Sequence, residues 1–266
     1  LRLFYQPKFC APRGPILGFE ALLRWQHPQH GLLSPDKFLP MAEKTGMIVN
    51  IGNWVIQEAC RQLRQWHLQG HPHWSVAVNL SALQFEQSNL VETVVEALAK
   101  HQIPAELLTL EVTETTAMRD PDESVRILTE LTRLGVKASI DDFGTGYSSL
   151  LYLKRLPASE LKIDRAFVNE LQHQKEDATI VSAIVALAQS LQLKVVAEGV
   201  ETAEQQAFLT SLGCNTLQGY LLGKPVPPER VPELTDFVAA ETEETVASTG
   251  LIADVDRPLT PEVAAV

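Results

Sequence analysis

The sequence predicts an α/β fold, and within that class a (β/α)8 barrel of the TIM type whose first strand runs antiparallel. Eight short apolar runs alternate along the chain with helical stretches, an order typical of parallel sheets covered by helices. The chain has 266 residues, which suits a single barrel of about 250 residues. The first two runs are joined too tightly for a parallel crossover, so the barrel is expected to begin with a hairpin.

The strands are predicted from short runs rich in apolar and β-branched residues. In chain order they are LRLFYQP (1–7), ILGFEALLRW (16–25), SVAVNLS (75–81), LLTLEVTE (107–114), VKASIDDF (136–143), ELKID (160–164), LKVVAEGVE (193–201) and NTLQGYLL (215–222). The connection around residues 12–15 is far shorter than the roughly dozen residues that a parallel crossover needs. We therefore expect the first pair of strands to be antiparallel.

Helices are predicted between most of these runs from their capping signals and apolar faces. Asp120 is an expected N-cap, followed by a proline in the first turn and by Glu123 as a capping-box acid. Thr202 and Gln205 predict a second capping box. The predicted helical segments are 34–46, 50–70, 120–135, 178–193 and 202–213.

The net charge of −11 argues against nucleic acid polymers and acidic membrane surfaces as partners, because such a chain is repelled by them at long range. The apolar stretch without charged residues over 178–193 is shorter than a membrane span of about 20 residues, so no transmembrane helix is predicted. No signal peptide is visible. Three widely separated cysteines, Cys10, Cys60 and Cys214, are expected as buried thiols in a reducing compartment, which predicts a cytoplasmic location.

The organisation along the chain predicts one domain over residues 1–240 and an acidic tail over residues 241–266. The tail carries little apolar periodicity, and its charged residues are mostly acidic, which predicts disorder. They are Glu241, Glu243, Glu244, Asp254, Asp256, Arg257 and Glu262. Because the chain begins with Leu1 inside a strand-like run, we expect it to be a piece of a longer protein.

Polar side chains recur at the ends of the predicted strands, and in a barrel these ends converge on one mouth. They are Glu20, Arg24, Asn79, Glu111, Glu114, Asp141, Asp142, Lys162, Asp164, Glu198, Glu201 and Gln218. A single acid at such a place often caps a helix or faces solvent, but several carboxylates together must be protonated or neutralised by cations. Oxygen donors without a thiol favour Mg²⁺ or Mn²⁺. The pairs His27/His30 and His71/His73 lie in polar loops and are expected to be surface residues.

Seven ordered motifs make the chain resemble the EAL-domain family of cyclic di-GMP phosphodiesterases over roughly the first 240 residues. They are EALLRW (20–25), NLS (79–81), EVTE (111–114), DDFGTGYSSL (141–150), LKIDRAFV (161–168), AEGVE (197–201) and LQGYLLGKP (217–225). The resemblance implies a barrel with an antiparallel first strand. It also implies hydrolysis of cyclic di-GMP to linear pGpG with two Mg²⁺ or Mn²⁺ ions, as part of bacterial second-messenger signalling.

The resemblance also implies a role for each matching residue. Glu20, Asn79, Glu111 and Asp141 are implied as ligands of one metal, and Asp141, Asp142 and Glu198 as ligands of a second. Lys162 is implied beside the nucleophilic water, and its role as a general base or as an electrostatic group is left open. Glu114 is implied to hold the loop after Asp142, and Glu201 and Gln218 to lie around the water ligands. Arg24, Asp164 and Gln218 are implied near the substrate.

Other expectations follow from the same resemblance. Family members form homodimers, often follow a sensory or GGDEF domain, and in some cases are tethered to the inner membrane through preceding regions. Two other functions stay open at the level of sequence. One is a receptor module that binds cyclic di-GMP without hydrolysing it. Such members typically lose a metal ligand or alter the DDFGTG loop. Neither change is visible in this sequence. The other is a metal-dependent barrel enzyme acting on an enolate, which the Asp141-Asp142 pair and Arg24 disfavour.

Overall fold

The computed structural model describes residues 1–11, 14–87, 89–146, 150–172 and 175–234. The predicted boundary at residue 240 and the predicted acidic tail, 241–266, lie outside these residues. Among the described helices, none combines the length and the apolar character needed to cross a bilayer.

In the described part of the chain nine strands form one sheet, and eight of them close into a barrel. They are β1 (Arg2–Cys10), β2 (Ile16–His27), β3 (Gly31–Leu33), β4 (Ser75–Asn79), β5 (Leu108–Thr113), β6 (Lys137–Phe143), β7 (Glu160–Ile163), β8 (Lys194–Ala197) and β9 (Thr216–Leu217). Around the barrel the order is β1, β9, β8, β7, β6, β5, β4 and β2, and β2 pairs again with β1. The predicted (β/α)8 barrel is therefore confirmed.

The first strand runs antiparallel to both of its neighbours, as predicted. β1 pairs with β2 from Arg2 opposite Arg24 to Lys8 opposite Gly18. It also pairs with β9, where Phe9 lies opposite Leu217. The strands from β4 to β9 pair in parallel with one another, and β2 pairs in parallel with β4.

The short strand β3 was not predicted from the sequence. It pairs antiparallel with the end of β2, with Trp25 opposite Leu33, and lies outside the barrel. The turn before it uses the ring of His27, whose Nδ1 accepts hydrogen bonds from the backbone N–H groups of Gln29 and His30. Three residues, two of them exposed, give too little alternation to predict a strand.

The α-helices with both ends inside the described part of the chain cover the outside of the barrel. They are α1 (Leu39–Lys44), α2 (Met47–Leu68), α3 (Ala82–Phe85), α4 (Leu90–His101), α5 (Glu114–Arg119), α6 (Pro121–Arg133), α7 (Leu150–Leu153), α8 (Arg165–Asn169), α9 (Lys175–Ser190) and α10 (Ala203–Ser211). The predicted helix over 34–46 is divided into a 3-10 turn, Pro35–Lys37, and α1. Gly46 adopts a positive φ of 71° and separates α1 from α2.

Both predicted N-caps form, but only one of the two predicted capping boxes is complete. The side chain of Thr202 accepts from the backbone N–H of Gln205, and the Gln205 side chain returns a bond to the Thr202 N–H, which completes the capping box. Asp120 accepts from the backbone N–H of Glu123 at 3.1 Å. The Glu123 side chain pairs with Arg126 instead of returning to Asp120, so the reciprocal box predicted there was wrong.

The apolar core lies between the outer face of the barrel and the helices, whereas part of the barrel interior is polar. Tyr5 and Phe19 project outward from β1 and β2 onto Trp66 of α2, with ring centroids 4.9 and 4.8 Å from that indole. The inward-facing positions of the same strands carry Lys8 and Glu20, both buried. This alternation follows the two-residue period of a strand and places charged groups inside the barrel.

Thiol labelling should distinguish the three cysteines. Cys60 and Cys214 are buried, and burial raises the pKa of each thiol to about 12, so neither presents a thiolate at pH 8. Cys10 is only partly buried at the end of β1, which corrects the expectation that all three are buried. A disulfide-exchange reagent should modify one thiol in the native protein and three in denaturant, as counted by mass spectrometry. Rapid modification of all three under native conditions would contradict this assignment.

Candidate active site

The barrel mouth collects the predicted site residues because parallel strands end there together. Glu20 and Arg24 lie on β2, Asn79 ends β4 and Glu111 lies on β5. Asp141 and Asp142 lie on β6, and Lys162 on β7. The remaining residues follow strands or begin helices: Glu114, Asp164, Glu198, Glu201 and Gln218.

The ammonium group of Lys162 lies at the centre of the site and contacts four carboxylates. Its side chain is 1% exposed, and its Nζ lies 2.6 Å from Glu111 Oε2 and 2.6 Å from Glu198 Oε1. Asp141 Oδ2 is 3.1 Å away and Glu20 Oε1 3.9 Å away. Acids from four different strand ends therefore face one buried cation.

Two amides orient the carboxylate of Glu20. Asn79 Nδ2 donates to Glu20 Oε1 at 2.7 Å, and Gln218 Nε2 donates to Glu20 Oε2 at 2.6 Å. Gln218 also donates to Gln6 Oε1 at 3.1 Å, which links β1 and β2 to the end of β9. Both oxygens of Glu20 are thus held in place by amide donors.

The site carries more carboxylates than its ammonium group can neutralise. Burial and neighbouring acids raise the pKa of Glu111 to about 7 and of Glu198 to about 8, although Lys162 opposes both shifts. Burial also works against the charged form of Glu20, but Lys162 and the two amides outweigh it and lower its pKa. Burial disfavours the ammonium form of Lys162, yet the surrounding carboxylates raise its pKa well above the usual value.

The backbone at Asp142 takes a conformation that is rare for a residue with a side chain. Its φ is +53°, in the left-handed region, and its N–H donates to Asp141 Oδ1 at 2.8 Å. Its carbonyl accepts from Thr145 Oγ1 at 2.8 Å. Burial, the charge of Asp141 and a hydrogen bond shared with Asp164 raise the pKa of Asp142 to about 6. Local hydrogen bonds thus stabilise a strained turn that directs two adjacent acids to the mouth.

Glu114 anchors the segment after this turn. It is buried at the start of α5, and its Oε2 accepts from the backbone N–H of Gly144 at 2.8 Å. A Cβ at Gly146 would lie 2.8 Å from Glu114 Oε1, so the chain passes close to the carboxylate only because residue 146 is glycine. Residues 147–149 of the predicted loop, 143–149, lie outside the described residues.

A cleft of about 520 Å³ opens above the site. Of the predicted residues, it is lined by Glu20, Arg24, Asp142, Asp164, Glu198, Glu201 and Gln218. Arg24 is half-buried and packs over the ring of Phe4, with its Cζ 5.7 Å from the ring centroid. Asn79 instead lines a neighbouring cavity of about 420 Å³, which shares Leu22 and Pro35 with the cleft. Glu111, Glu114, Asp141 and Lys162 lie deeper and line neither.

Sequence reasoning missed several residues that line the cleft. They are Gln6, Leu22, Pro35, Asp36, Arg165, Asn169, Gly199, Gly219, Tyr220 and Pro225. Arg165 and Tyr220 lie within quoted motifs, next to residues that were predicted, so their place in those motifs was the available signal. The two histidine pairs are not near the cleft: His27 contributes to the turn before β3, and His71 stacks on Trp74 at 3.8 Å.

The donors at the mouth suit a hard divalent cation. They are carboxylate and amide oxygens that converge from several strands, and such oxygens are the ligands that hard cations prefer. Across the described residues, no three Asp, Glu, His or Cys side chains are already arranged to hold a metal ion. The carboxylates of Glu111 and Glu198 instead contact Lys162. The donor chemistry and the excess acid therefore fit Mg²⁺ or Mn²⁺, and the ligands would have to share their oxygens between the cation and Lys162.

The sequence is similar to a known protein family and to relatives whose names describe their activity. A family model described as the EAL domain matches residues 1–225. The bifunctional diguanylate cyclase/cyclic di-GMP phosphodiesterase MucR of Pseudomonas aeruginosa is 65% identical over 231 residues, 87% of this chain and 34% of that protein. The cyclic di-GMP phosphodiesterase NbdA of the same organism is 48% identical over 90% of this chain and 30% of that protein. The chain therefore spans about a third of the length of these relatives.

Solved structures agree with the family match. A structure described as the PaMucR phosphodiesterase in complex with c-di-GMP has a TM-score of 0.85 and 66% identity, and the match covers 86% of this chain and 93% of that one. The FimX EAL domain from Pseudomonas aeruginosa bound to c-di-GMP has a TM-score of 0.77 and 29% identity over 85% of this chain and 90% of that one.

Proposed function

The chain belongs to the EAL domain family, and from that membership we propose that it hydrolyses cyclic di-GMP to linear pGpG with the help of divalent cations. The observation that carries the proposal is the convergence of Glu20, Glu111, Asp141 and Glu198 on Lys162 beneath the cleft. The 65% identity to MucR and the c-di-GMP complex of PaMucR supply the substrate class.

Divalent cations are needed to make this mouth compatible with the substrate. A cyclic dinucleotide carries two phosphodiester charges, and an uncompensated cluster of carboxylates would repel it. We assign Glu20, Asn79, Glu111 and Asp141 to one Mg²⁺ or Mn²⁺, and Asp141, Asp142 and Glu198 to a second. When bound, such cations polarise the scissile phosphate and lower the pKa of water.

The chain's own residues have separate tasks in this reaction. Gln218 and Asn79 fix the Glu20 carboxylate from two sides, so that ligand is already oriented when the substrate arrives. The buried Lys162 ammonium lies among these carboxylates beneath the cleft, where its charge can offset charge that develops on the scissile phosphate. Arg24 and Arg165 line the cleft and supply cations for the phosphate that is not cleaved.

The remaining predicted residues lie where they can support the substrate or the water. Asp164 caps α8 by accepting from the Ala166 N–H at 2.8 Å, and it faces the cleft beside Asp142. Glu201 is exposed on the cleft wall, and its backbone N–H donates to Gln205 Oε1 at 2.7 Å. We therefore place Asp164 near the substrate, and Glu201 and Gln218 near the water ligands.

Turnover of cyclic di-GMP by the purified chain tests the proposal. Linear pGpG should accumulate in Mg²⁺ or Mn²⁺, and its formation should stop when a chelator is added and resume when the cation is restored. Turnover that continues unchanged in chelator would contradict the metal dependence. Binding of cyclic di-GMP without any turnover would favour the receptor module instead. From the family we also propose that the chain forms a homodimer and that a sensory or GGDEF domain precedes it in the whole protein.

Tyr220 should contribute to binding of the substrate and not to the chemical step. The residue is 57% exposed at the edge of the cleft, with Lys224 Nζ 5.4 Å from its ring centroid. Stacking of a base on an aromatic ring contributes roughly 1–3 kcal/mol. We expect Tyr220→Leu to raise KM for cyclic di-GMP about tenfold with kcat changed less than about threefold. Tyr220→Phe keeps the ring and should retain a KM close to that of the unaltered chain; an unchanged KM for Tyr220→Leu would argue against stacking.

Removing the anchor at Glu114 should impair turnover without unfolding the barrel. Glu114→Ala deletes the acceptor for the Gly144 N–H and loosens the segment that positions Asp141 and Asp142. We expect a fall in kcat of roughly 10–100-fold and a weaker affinity for Mn²⁺. Glu114→Gln retains an acceptor oxygen and should lose less. The measurements are steady-state kinetics and Mn²⁺ titration. If Glu114→Ala leaves kcat and Mn²⁺ affinity unchanged, the anchor has no role in the site.

A further inference from the structure

A second buried lysine reaches the candidate site from the opposite wall of the barrel. Lys8 lies on β1, and going round the eight strands from β1 in either direction the fourth strand is β6. β1 therefore faces β6 across the barrel, with β5 and β7 on either side of β6. The Lys8 side chain is 8% exposed and points into this interior.

Across the interior, the Lys8 ammonium contacts one acid on each of the two strands beside β6. Its Nζ lies 3.6 Å from Glu111 Oε1 on β5 and 3.7 Å from Glu160 Oε1 on β7. The register places Glu111 opposite Ser139 and Ser139 opposite Glu160, so the two acids occupy one layer of the barrel. Lys8 thus connects the site to Glu160, an acid to which the proposed reaction assigns no role.

The two oxygens of Glu111 face different cations. Oε2 accepts from Lys162 at 2.6 Å on the side of the mouth. Oε1 is buried, has no hydrogen-bond partner in the described part of the chain, and has the Lys8 ammonium 3.6 Å away. A buried carboxylate oxygen without a partner lowers the stability of the fold. The charge of Lys8 therefore favours the orientation of Glu111 in which Oε1 points down the barrel and Oε2 points to the mouth.

We propose that Lys8 is a positioning residue that holds the Glu111 carboxylate in the orientation that a divalent cation at the mouth requires. The inference rests on the proposed function in one respect, the assignment of Glu111 as a metal ligand. Lys8 itself does not touch the substrate or the reacting atoms. Its contribution is the orientation of a ligand from below, as an outer partner fixes a metal-binding side chain in other proteins.

The competing explanation is that Lys8 only neutralises Glu160. A double substitution separates the two roles. Lys8→Met removes the cation from both acids, whereas Glu160→Gln removes the second acid and leaves Lys8 beside Glu111. If Lys8 serves only Glu160, the variant Lys8→Met/Glu160→Gln should behave like the unaltered chain. If Lys8 positions Glu111, the double variant should keep the defect of Lys8→Met.

The test is the affinity of each variant for Mn²⁺ in the absence of substrate, measured by electron paramagnetic resonance. Lys8→Met should bind Mn²⁺ at least about tenfold more weakly, because changes to residues that orient a metal ligand typically cost 10–100-fold. Glu160→Gln should remain within about threefold of the unaltered chain, and the double variant should stay as weak as Lys8→Met. Lys100→Met, which removes one exposed ammonium group at the end of α4, is the matched control and should have no effect.

Kinetics and folding provide the second readout. In Lys8→Met, the kcat for cyclic di-GMP should fall at a fixed, subsaturating Mn²⁺ concentration while KM for the dinucleotide stays unchanged. Unaltered Mn²⁺ affinity in Lys8→Met, recovery in the double variant, or loss of the folded circular dichroism spectrum in both would each overturn the proposal. If the unaltered chain binds Mn²⁺ but does not hydrolyse cyclic di-GMP, the proposed function is wrong. The role of Lys8 is still tested in that case, because Mn²⁺ affinity is measured without substrate.

Discussion

Replacing Glu20 with Ala should reduce turnover of cyclic di-GMP by at least about 10³-fold while the barrel stays folded. Glu20 lies at the mouth, and both of its oxygens are oriented by amides from Asn79 and Gln218. The substitution removes one carboxylate from the proposed first metal position and, with it, the acceptor that the Asn79 and Gln218 amides share. A loss of this size corresponds to about 4 kcal/mol of transition-state stabilisation.

The measurements for Glu20 are steady-state turnover and circular dichroism. Glu20→Gln, which preserves the shape but not the charge, should lose nearly as much activity, since the carboxylate charge is what the cation requires. A surface acid on α6, Glu130, is a suitable control, and Glu130→Ala should leave turnover unchanged. If Glu20→Ala unfolds the barrel, the residue is structural; if it retains substantial activity, the proposed first metal position is wrong.

Replacing Lys162 with Met should have two large effects, one on activity and one on stability. Four carboxylates lie within 3.9 Å of its ammonium group, and the side chain is almost fully buried. Removing one partner of a buried ionic network costs roughly 3–5 kcal/mol of folding stability. Turnover should fall by at least about 10³-fold, because charge on the phosphate is no longer offset.

Divalent cations distinguish the two roles of Lys162. If the acids beneath the cleft are metal ligands, Mg²⁺ or Mn²⁺ should raise the melting temperature of Lys162→Met more than that of the unaltered chain, since the cation replaces the missing positive charge. Activity should not return with stability. Lys162→Arg keeps the charge and should lose less stability than Lys162→Met. A Lys162→Met variant as stable as the unaltered chain would show that the network contributes little to folding.

The barrel was predictable because its signals are local. The short connection at residues 12–15 by itself predicted the antiparallel pairing of β1 with β2, and capping residues such as Thr202 predicted helix starts. The mouth was predictable for a similar reason: acids that end successive strands must meet in a closed barrel. β3 was missed because three mostly exposed residues carry no periodic signal.

The contacts across the barrel could not be predicted in the same way. Lys8 and Glu160 are separated by most of the chain, and only the strand order and register bring each of them within reach of Glu111. Tyr220 and Arg165 line the cleft because barrel closure brings the ends of β9 and β7 to the same mouth as β2. Such residues depend on tertiary geometry, whereas strand-end acids depend mainly on sequence position.

The most direct test of the central proposal follows product and bound ligand in the same samples. The purified chain is incubated with cyclic di-GMP in Mg²⁺, in Mn²⁺ and in chelator, and the dinucleotides are separated by chromatography while binding is measured by calorimetry. We expect pGpG with either cation, none in chelator, and production that is at least about 10³-fold lower with either cation in Glu20→Ala. Cyclic di-GMP that binds tightly yet remains intact with both cations would contradict it.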